Sequence, residues 1–119
     1  ILSVEPMEAL RYMPSLSEDG WIVTDCKPFV NIPNYPEIDD VLAEIKKRPN
    51  HRIVEADKIA RDLGSPKSAN IVILGAASPF LDLKFEYMEN ALKLIFGRKG
   101  DKVVEANINA LRAGRDLNV

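Results

Sequence analysis

Cysteine and histidine each occur once in the 119 residues, as Cys26 and His51. A structural zinc centre or an iron–sulfur cluster takes several such donors, so this chain alone cannot hold either. With a single cysteine no disulfide can close within the chain, which fits a reducing compartment, and the cytoplasm is the expected location. Long apolar runs are also missing. Nothing approaches the roughly 20 residues of a membrane span, and the opening Ile1-Leu2-Ser3-Val4 has neither the basic nor the apolar region of a signal peptide. The glycines, at 20, 64, 75, 97, 100 and 114, never fall into G-x-G-x-x-G or G-x-x-x-x-G-K-[ST], so no phosphate-cradling loop of either type is present. No excess of positive charge appears: 16 basic against 18 acidic residues leave a net charge of -2. Neither nucleic acid nor a membrane is an expected partner.

What is present is globular. Hydrophobic residues make up 46% and charged residues 29%, and the length fits one domain, residues 1–119, with a core that needs no staples. The chain starts without methionine in a β-type run, Ile1–Val4, and we expect it to be a piece of a longer protein. Pro6 suits the first position of a short helix reaching Met13. Trp21-Ile22-Val23-Thr24 is aromatic and β-branched, as a buried strand should be. Prolines 28, 33 and 36 exclude helix from the next stretch, where Phe29 and Val30 are read as a brief edge strand. Ile38, Val41, Leu42 and Ile45 fall at i, i+3, i+4 and i+7, predicting an amphipathic helix over 37–47. A strand follows over 52–56, then a helix over 58–63 with Asp57 as its N-cap and Gly64 as its left-handed stop. Residues 70–77 are apolar on every side. Periodicity leaves helix and strand open there, and the Ser65-Pro66 start signal with the small residues at 75–77 favours helix, Gly75 admitting a neighbouring backbone. Further helices are predicted over 85–96, closed by Gly97, and from the possible N-cap Asp101 to Ala113, stopping at Gly114. Strands alternating with helices, then helices alone, place the chain in the α/β class: a small, mostly parallel sheet flanked by helices, with a largely helical C-terminal half.

A few residues could carry function. Glu5 stands at the carboxyl edge of the first strand, where α/β proteins place ligands, or it favours the start of the following helix through the dipole. Asn70 either caps a helix or presents its amide to a ligand held with a partner. Asn107 is an amide inside a helix, as a buried anchor or an exposed group. Cys26 also lies just beyond a strand, but without a strong positive field it reads as a semi-buried thiol rather than a nucleophile. His51, beside Pro49, Asn50 and Arg52, has a surface-like setting. Arg98-Lys99 could touch a phosphate, though basic residues at a helix C-terminus usually complement its dipole. No catalytic and no metal-binding residue is assigned.

Three separated runs carry a family resemblance: Glu5-Pro6-Met7-Glu8-Ala9-Leu10-Arg11-Tyr12, Ser68-Ala69-Asn70-Ile71-Val72-Ile73-Leu74-Gly75-Ala76, and Val103-Val104-Glu105-Ala106-Asn107-Ile108-Asn109-Ala110. With Tyr35-Pro36 ahead of an amphipathic helix and the strand leading into Ala56-Asp57, the set resembles the gamma-type domain of 2-oxoacid:ferredoxin oxidoreductases, nearest to the indolepyruvate branch. The resemblance covers nearly the whole chain. It implies a Rossmann-like fold, helical at 71–78, in a subunit of an enzyme that oxidatively decarboxylates a 2-oxoacid with coenzyme A and passes electrons to ferredoxin. Thiamine diphosphate and iron–sulfur clusters would sit on a partner, the thiamine-binding alpha subunit. Coenzyme A is the ligand this domain is implicated in binding, and the chain alone would be inactive. Family members begin with a glycine-rich G-x-G-G-Q-G segment that this sequence lacks, so the chain is expected to be the C-terminal portion of the domain. An unpaired sheet edge and an apolar patch would then favour self-association. A non-catalytic α/β module that binds coenzyme A or a nucleotide, or docks to a protein, is the alternative.

Overall fold

The computed structural model describes residues 1–117, which pack as two compact units that divide between Glu55 and Ala56. The first unit is a parallel α/β layer. Its strands β1 (Leu2–Ser3), β2 (Ile22–Asp25) and β3 (His51–Val54) lie side by side in that order. Both pairings are parallel, with Leu2 opposite Val23 and Ile22 opposite His51. Parallel neighbours cannot be joined by a tight turn, and the two crossovers contain helices α1 (Pro6–Tyr12) and α2 (Ile38–Lys46). The central strand β2 is buried along its whole length, which is why it reads as a continuous apolar run rather than an alternating one.

The core of this unit forms where Ala9 of α1, Ile22 of β2, and Val41 and Ile45 of α2 meet, with Ile38, Leu42, Leu10, Met7 and Ile53 packed against them. The i, i+3, i+4, i+7 stripe of α2 is therefore its buried face. Phe29 and Val30, expected as an edge strand, lie instead in an irregular loop. Pro28 has no N–H to give a ladder, and the loop is held by a side chain, as described below.

Among the described residues the second unit is entirely helical: α3 (Ala56–Asp62), α4 (Ala69–Ala77), α5 (Phe85–Phe96) and α6 (Asp101–Asp116). Gly64, with φ of 75°, supplies the left-handed residue after α3. Two residues predicted as caps lie inside their helices instead. α3 begins at Ala56 and α6 is capped by Gly100, so Asp57 and Asp101 sit in first turns, where a carboxylate still favours the helix dipole. The apolar stretch is helix α4, with Ile71, Val72, Ile73, Gly75, Ala76 and Ala77 all buried, as a helix without a polar face must be.

Helix α6 does not stop at Gly114 but runs to Asp116. Gly114 serves another purpose. A Cβ there would overlap the Val72 carbonyl oxygen of α4, and one on Gly75 would overlap the Leu111 carbonyl oxygen of α6. The two backbones thus touch through a reciprocal glycine pair. A further bond, Ser68 to Asn107 at 3.2 Å, has the same offset in sequence as Gly75 to Gly114. The two helices therefore run in the same direction. Helix α5 runs back against α6, tied by Arg112, whose Nε and Nη2 donate to Glu89 Oε2 at 2.9 and 2.6 Å. Arg115 lies 4.4 Å from the centre of the Phe85 ring and donates to Ser78 Oγ at 3.2 Å, which in turn donates to the Gly75 carbonyl at 2.6 Å.

This crossing sets two effects against each other. In an open helix Gly→Ala gains about 1 kcal/mol of propensity, whereas overpacking a tight contact costs about 1–3 kcal/mol or more. Because the obstacle here is backbone, the second effect wins: Gly75→Ala and Gly114→Ala each lower the midpoint of thermal or urea unfolding, while Gly97→Ala, which meets no neighbouring atom, does not.

Candidate functional site

Parallel strands aim their carboxyl ends at one edge of a sheet, which collects Glu5, Asp25, Cys26 and Glu55 in the first unit. Glu5 is fully engaged there. Its backbone is extended, and Oε1 accepts from the N–H groups of Met7 at 2.5 Å and Glu8 at 3.2 Å, which makes it the N-cap of α1. Oε2 accepts from the Phe29 N–H and the Tyr35 hydroxyl, both at 2.8 Å. One carboxylate thus starts a helix and pins the proline-rich loop across the strand end. Burial raises the Tyr35 hydroxyl pKa to about 12, helped by its hydrogen bond to Glu5 and by that group's negative charge.

Cys26 is half-buried, and its N–H donates to the Val54 carbonyl at 2.9 Å. Burial, and then the charges of Asp25 and Glu55, push its thiol pKa up. A nucleophilic thiolate needs the opposite field. His51 Nδ1 lies 2.6 Å from the Arg48 carbonyl oxygen; that oxygen only accepts, so Nδ1 carries the proton. The imidazole closes the C-terminal end of α2, and among the described residues it has no carboxylate partner of the kind that orients a catalytic base.

A cleft of about 470 Å³ opens in the second unit, lined by Ser65, Lys67, Ser68, Asn70, Phe96, Lys99, Lys102, Val103, Ala106 and Asn107. It lies where the turn before α4 faces the first two turns of α6 and the end of α5. Its floor is a directed hydrogen-bond chain. Asn107 Nδ2 donates to the Val103 carbonyl at 2.9 Å, which fixes the amide orientation, since that carbonyl can only accept. Asn107 Oδ1 therefore accepts from Ser68 Oγ at 3.2 Å, and with its proton committed Ser68 accepts from Ser65 Oγ at 2.6 Å. Asn107 is 6% and Ser68 3% exposed. Asn107 is thus the buried anchor of the two alternatives the sequence left open. Asn70 Oδ1 accepts from the Ile71 N–H at 2.9 Å, so Asn70 satisfies a helix-start amide and lines the cleft as well. Lys99 lines the cleft while its neighbour Arg98 does not. Lys67 and Lys102 carried no signal in the sequence, because nothing short of the helix pairing brings residue 67 beside residue 102.

An apolar groove of about 500 Å³ runs between α4 and α5, lined by Leu74, Leu81, Leu83, Tyr87 and Ile95 among others. Leu83, Tyr87 and Ile95 are 51%, 53% and 66% exposed. Among the described residues no helix is long and apolar enough to cross a membrane, and no group of three His, Cys, Asp or Glu could hold a metal ion.

A three-stranded all-parallel sheet with helical crossovers, followed by a helical unit, defines a Rossmann-like α/β protein. The chain belongs to the pyruvate ferredoxin/flavodoxin oxidoreductase family, whose model matches residues 1–117. It is 28% identical over 123 residues to the indolepyruvate oxidoreductase subunit IorB of Archaeoglobus fulgidus, a match covering 96% of this chain and 60% of that protein. The IorB proteins of Pyrococcus horikoshii, 27% identical with the same coverage, and of Methanothermobacter thermautotrophicus, 28% identical over 96% of this chain and 61% of that protein, are similar to it too. The chain spans about 60% of the length of these curated relatives. No solved structure gives a significant match.

The sheet-edge geometry yields two expected outcomes. Glu5→Ala removes an N-cap and the loop's anchor, costing about 1–2 kcal/mol of stability in chemical denaturation, and lowers the pH at which Tyr35 ionises in an ultraviolet titration. In the intact protein Tyr35 stays protonated above its usual value of 10, up to about 12; its contribution to stability is complete below pH 10 and is lost as the pH rises from there through about 12. For Cys26, alkylation by iodoacetamide at neutral pH is slower than that of an unstructured thiol, and Glu55→Gln speeds it. Rapid alkylation at pH 7 in the folded protein would contradict the acidic field described.

Proposed function

We propose that the chain is the C-terminal portion of a gamma-type domain in a subunit of indolepyruvate:ferredoxin oxidoreductase. In this reading both compact units belong to one domain of a cytoplasmic enzyme. The enzyme converts a 2-oxoacid and coenzyme A to an acyl-CoA and carbon dioxide, handing the two electrons to ferredoxin. The single observation that carries the proposal is the family match across residues 1–117, with relatives named as indolepyruvate oxidoreductase subunits.

The donor set supports a division of labour. One cysteine and one histidine do not fit an iron–sulfur cluster, and no group of three His, Cys, Asp or Glu among the described residues suits a metal ion. In this reading thiamine diphosphate and the clusters belong to the thiamine-binding partner subunit, and this chain contributes surface. The exposed apolar groove of α4 and α5 is a surface of the kind that docks to a larger partner, and in its absence favours self-association. Glu5 and Asn70 are the residues we assign to ligand-facing or interface edges: Glu5 at the sheet's carboxyl edge, Asn70 in the lysine-lined cleft. The cleft also favours a second reading, a module that binds coenzyme A or a nucleotide without serving a redox enzyme.

Anaerobic mixing with the purified thiamine-binding subunit separates these readings. The expected result is a stable complex that reduces ferredoxin or a viologen dye only when indolepyruvate and coenzyme A are both present, with neither component active alone. Failure to associate, or turnover by the thiamine-binding subunit that is indifferent to this chain, would overturn the proposal.

A further inference from the structure

We infer that the groove between α4 and α5 receives an amphipathic helix of the partner subunit, one with acidic side chains at both ends of its apolar stripe that pair with Lys84 and Lys99. The inference rests on the reading that this groove meets the partner, and it states what the partner brings. The α5 residues lining the groove are Tyr87, Met88, Ala91, Leu92, Ile95 and Phe96. They recur at i, i+1, i+4, i+5, i+8 and i+9, which is one face of a helix. Tyr87, Ala91 and Ile95 are exposed on it, and Leu74 of α4 stands across the groove with Leu81 and Leu83.

Charge marks both ends of this trough. Lys84 precedes Tyr87 by three residues, and its ammonium lies 5.8 Å from the centre of that ring. Lys99 follows Phe96 by three, with its ammonium 5.8 Å from the centre of that ring. Contact with an aromatic face holds each cation at its end of the groove. Lys99 also lines the neighbouring cleft, so it stands on the ridge between the two. Among the described residues no salt bridge joins either lysine to a carboxylate, and no carboxylate lines the groove. Glu89 is turned away to Arg112, and Asp82 and Glu86 are outside the lining.

An occupant of this surface brings apolar side chains, negative charge at each end, and a backbone that needs no partner. Among the described residues the lining carries one polar side-chain group, the Tyr87 hydroxyl. An extended segment laid there would bury unpaired N–H and C=O groups. A helix satisfies its own and sets a ridge of side chains between two neighbours. Tyr87 to Phe96 spans about 14 Å at the helical rise, and Lys84 to Lys99 about 22 Å. The partner's apolar stripe is then about three turns long, with its acidic ends roughly 10–15 positions apart. A second copy of this chain would set lysine against lysine at both ends, whichever way its α5 ran. A lipid surface takes up a protruding apolar face rather than a trough.

Zero-length carbodiimide cross-linking of the chain in complex with the purified thiamine-binding subunit tests the inference, because the reagent joins an ammonium only to a carboxylate in contact with it. Lys84 and Lys99 are expected to join Asp or Glu residues on a single segment of the subunit, about 10–15 positions apart, with apolar residues at helical spacing between them. This readout uses the unaltered chain and does not depend on any variant folding. Lys84→Glu with Lys99→Glu weakens the complex about tenfold at low salt, and added salt narrows the difference. Lys46→Glu with Lys58→Glu, at exposed positions outside the groove, leaves affinity unchanged. A complex in which neither lysine is cross-linked, or which is indifferent to their reversal, overturns the inference while the subunit reading stands. Cross-links between two copies of this chain in place of those to the subunit, or protection of α5 by anionic phosphatidylglycerol vesicles and not by the subunit, overturn it in the same way. Failure to form any complex overturns both.

Discussion

Where α4 crosses α6, neither helix has room for a side chain. Gly75 meets the Leu111 carbonyl and Gly114 meets the Val72 carbonyl, so the second unit is organised around backbone-to-backbone contact rather than interdigitated side chains. The consequences run outward from that point. Close approach fixes the register of the pair, and the register places Ser68 against Asn107 at the opposite end of α4. Shared direction then puts two helix starts on one side, where the lysine-lined cleft opens. The same crossing presents Arg115 to Ser78 and to the Phe85 ring, joining the third helix to the pair.

The first unit has a different centre, the carboxylate of Glu5. Four hydrogen bonds converge on it, two from its own helix start and two from the loop carrying Phe29 and Tyr35. A proline-rich loop has few amides to spend on backbone ladders, so a single acceptor that gathers distant donors is an economical way to order it. The ligand-edge and helix-cap readings of Glu5 are therefore not exclusive: the residue sits at the edge of a parallel sheet and shapes it. Burial, and then the acidic neighbours of Cys26 on the same edge, push its thiol pKa up, so this edge offers hydrogen-bond acceptors rather than an activated nucleophile.

Local signals in the sequence were legible in proportion to how local their causes are. The α2 stripe was written in four residues at helical spacing, and β2 in a run of aromatic and β-branched residues. α4 was readable only through its flanking serine, proline and small residues, since burial on all sides erases periodicity. Gly114 looked like a stop because glycine usually is one there; its actual role depends on α4, some 40 residues earlier, which no local rule contains. Phe29 and Val30 looked like a strand because β-propensity measures packing that this loop does not provide. The same limit hid most of the cleft. Asn70, Asn107 and Lys99 could each be singled out, but Lys67 and Lys102 are ordinary surface lysines until α4 and α6 are paired in parallel. Glu5 was legible as a cap, while its bonds to residues 24 and 30 positions away were not.

In the proposed function this chain contributes surface to a partner that carries the chemistry, and the α4–α5 groove is the surface proposed to meet it. Hydrogen–deuterium exchange of the chain with and without the thiamine-binding subunit tests that claim directly. Slowed amide exchange is expected at Leu81, Leu83 and Tyr87 and along α5 through Ile95. Unchanged exchange throughout the chain, or protection that spares α5 entirely, would contradict it.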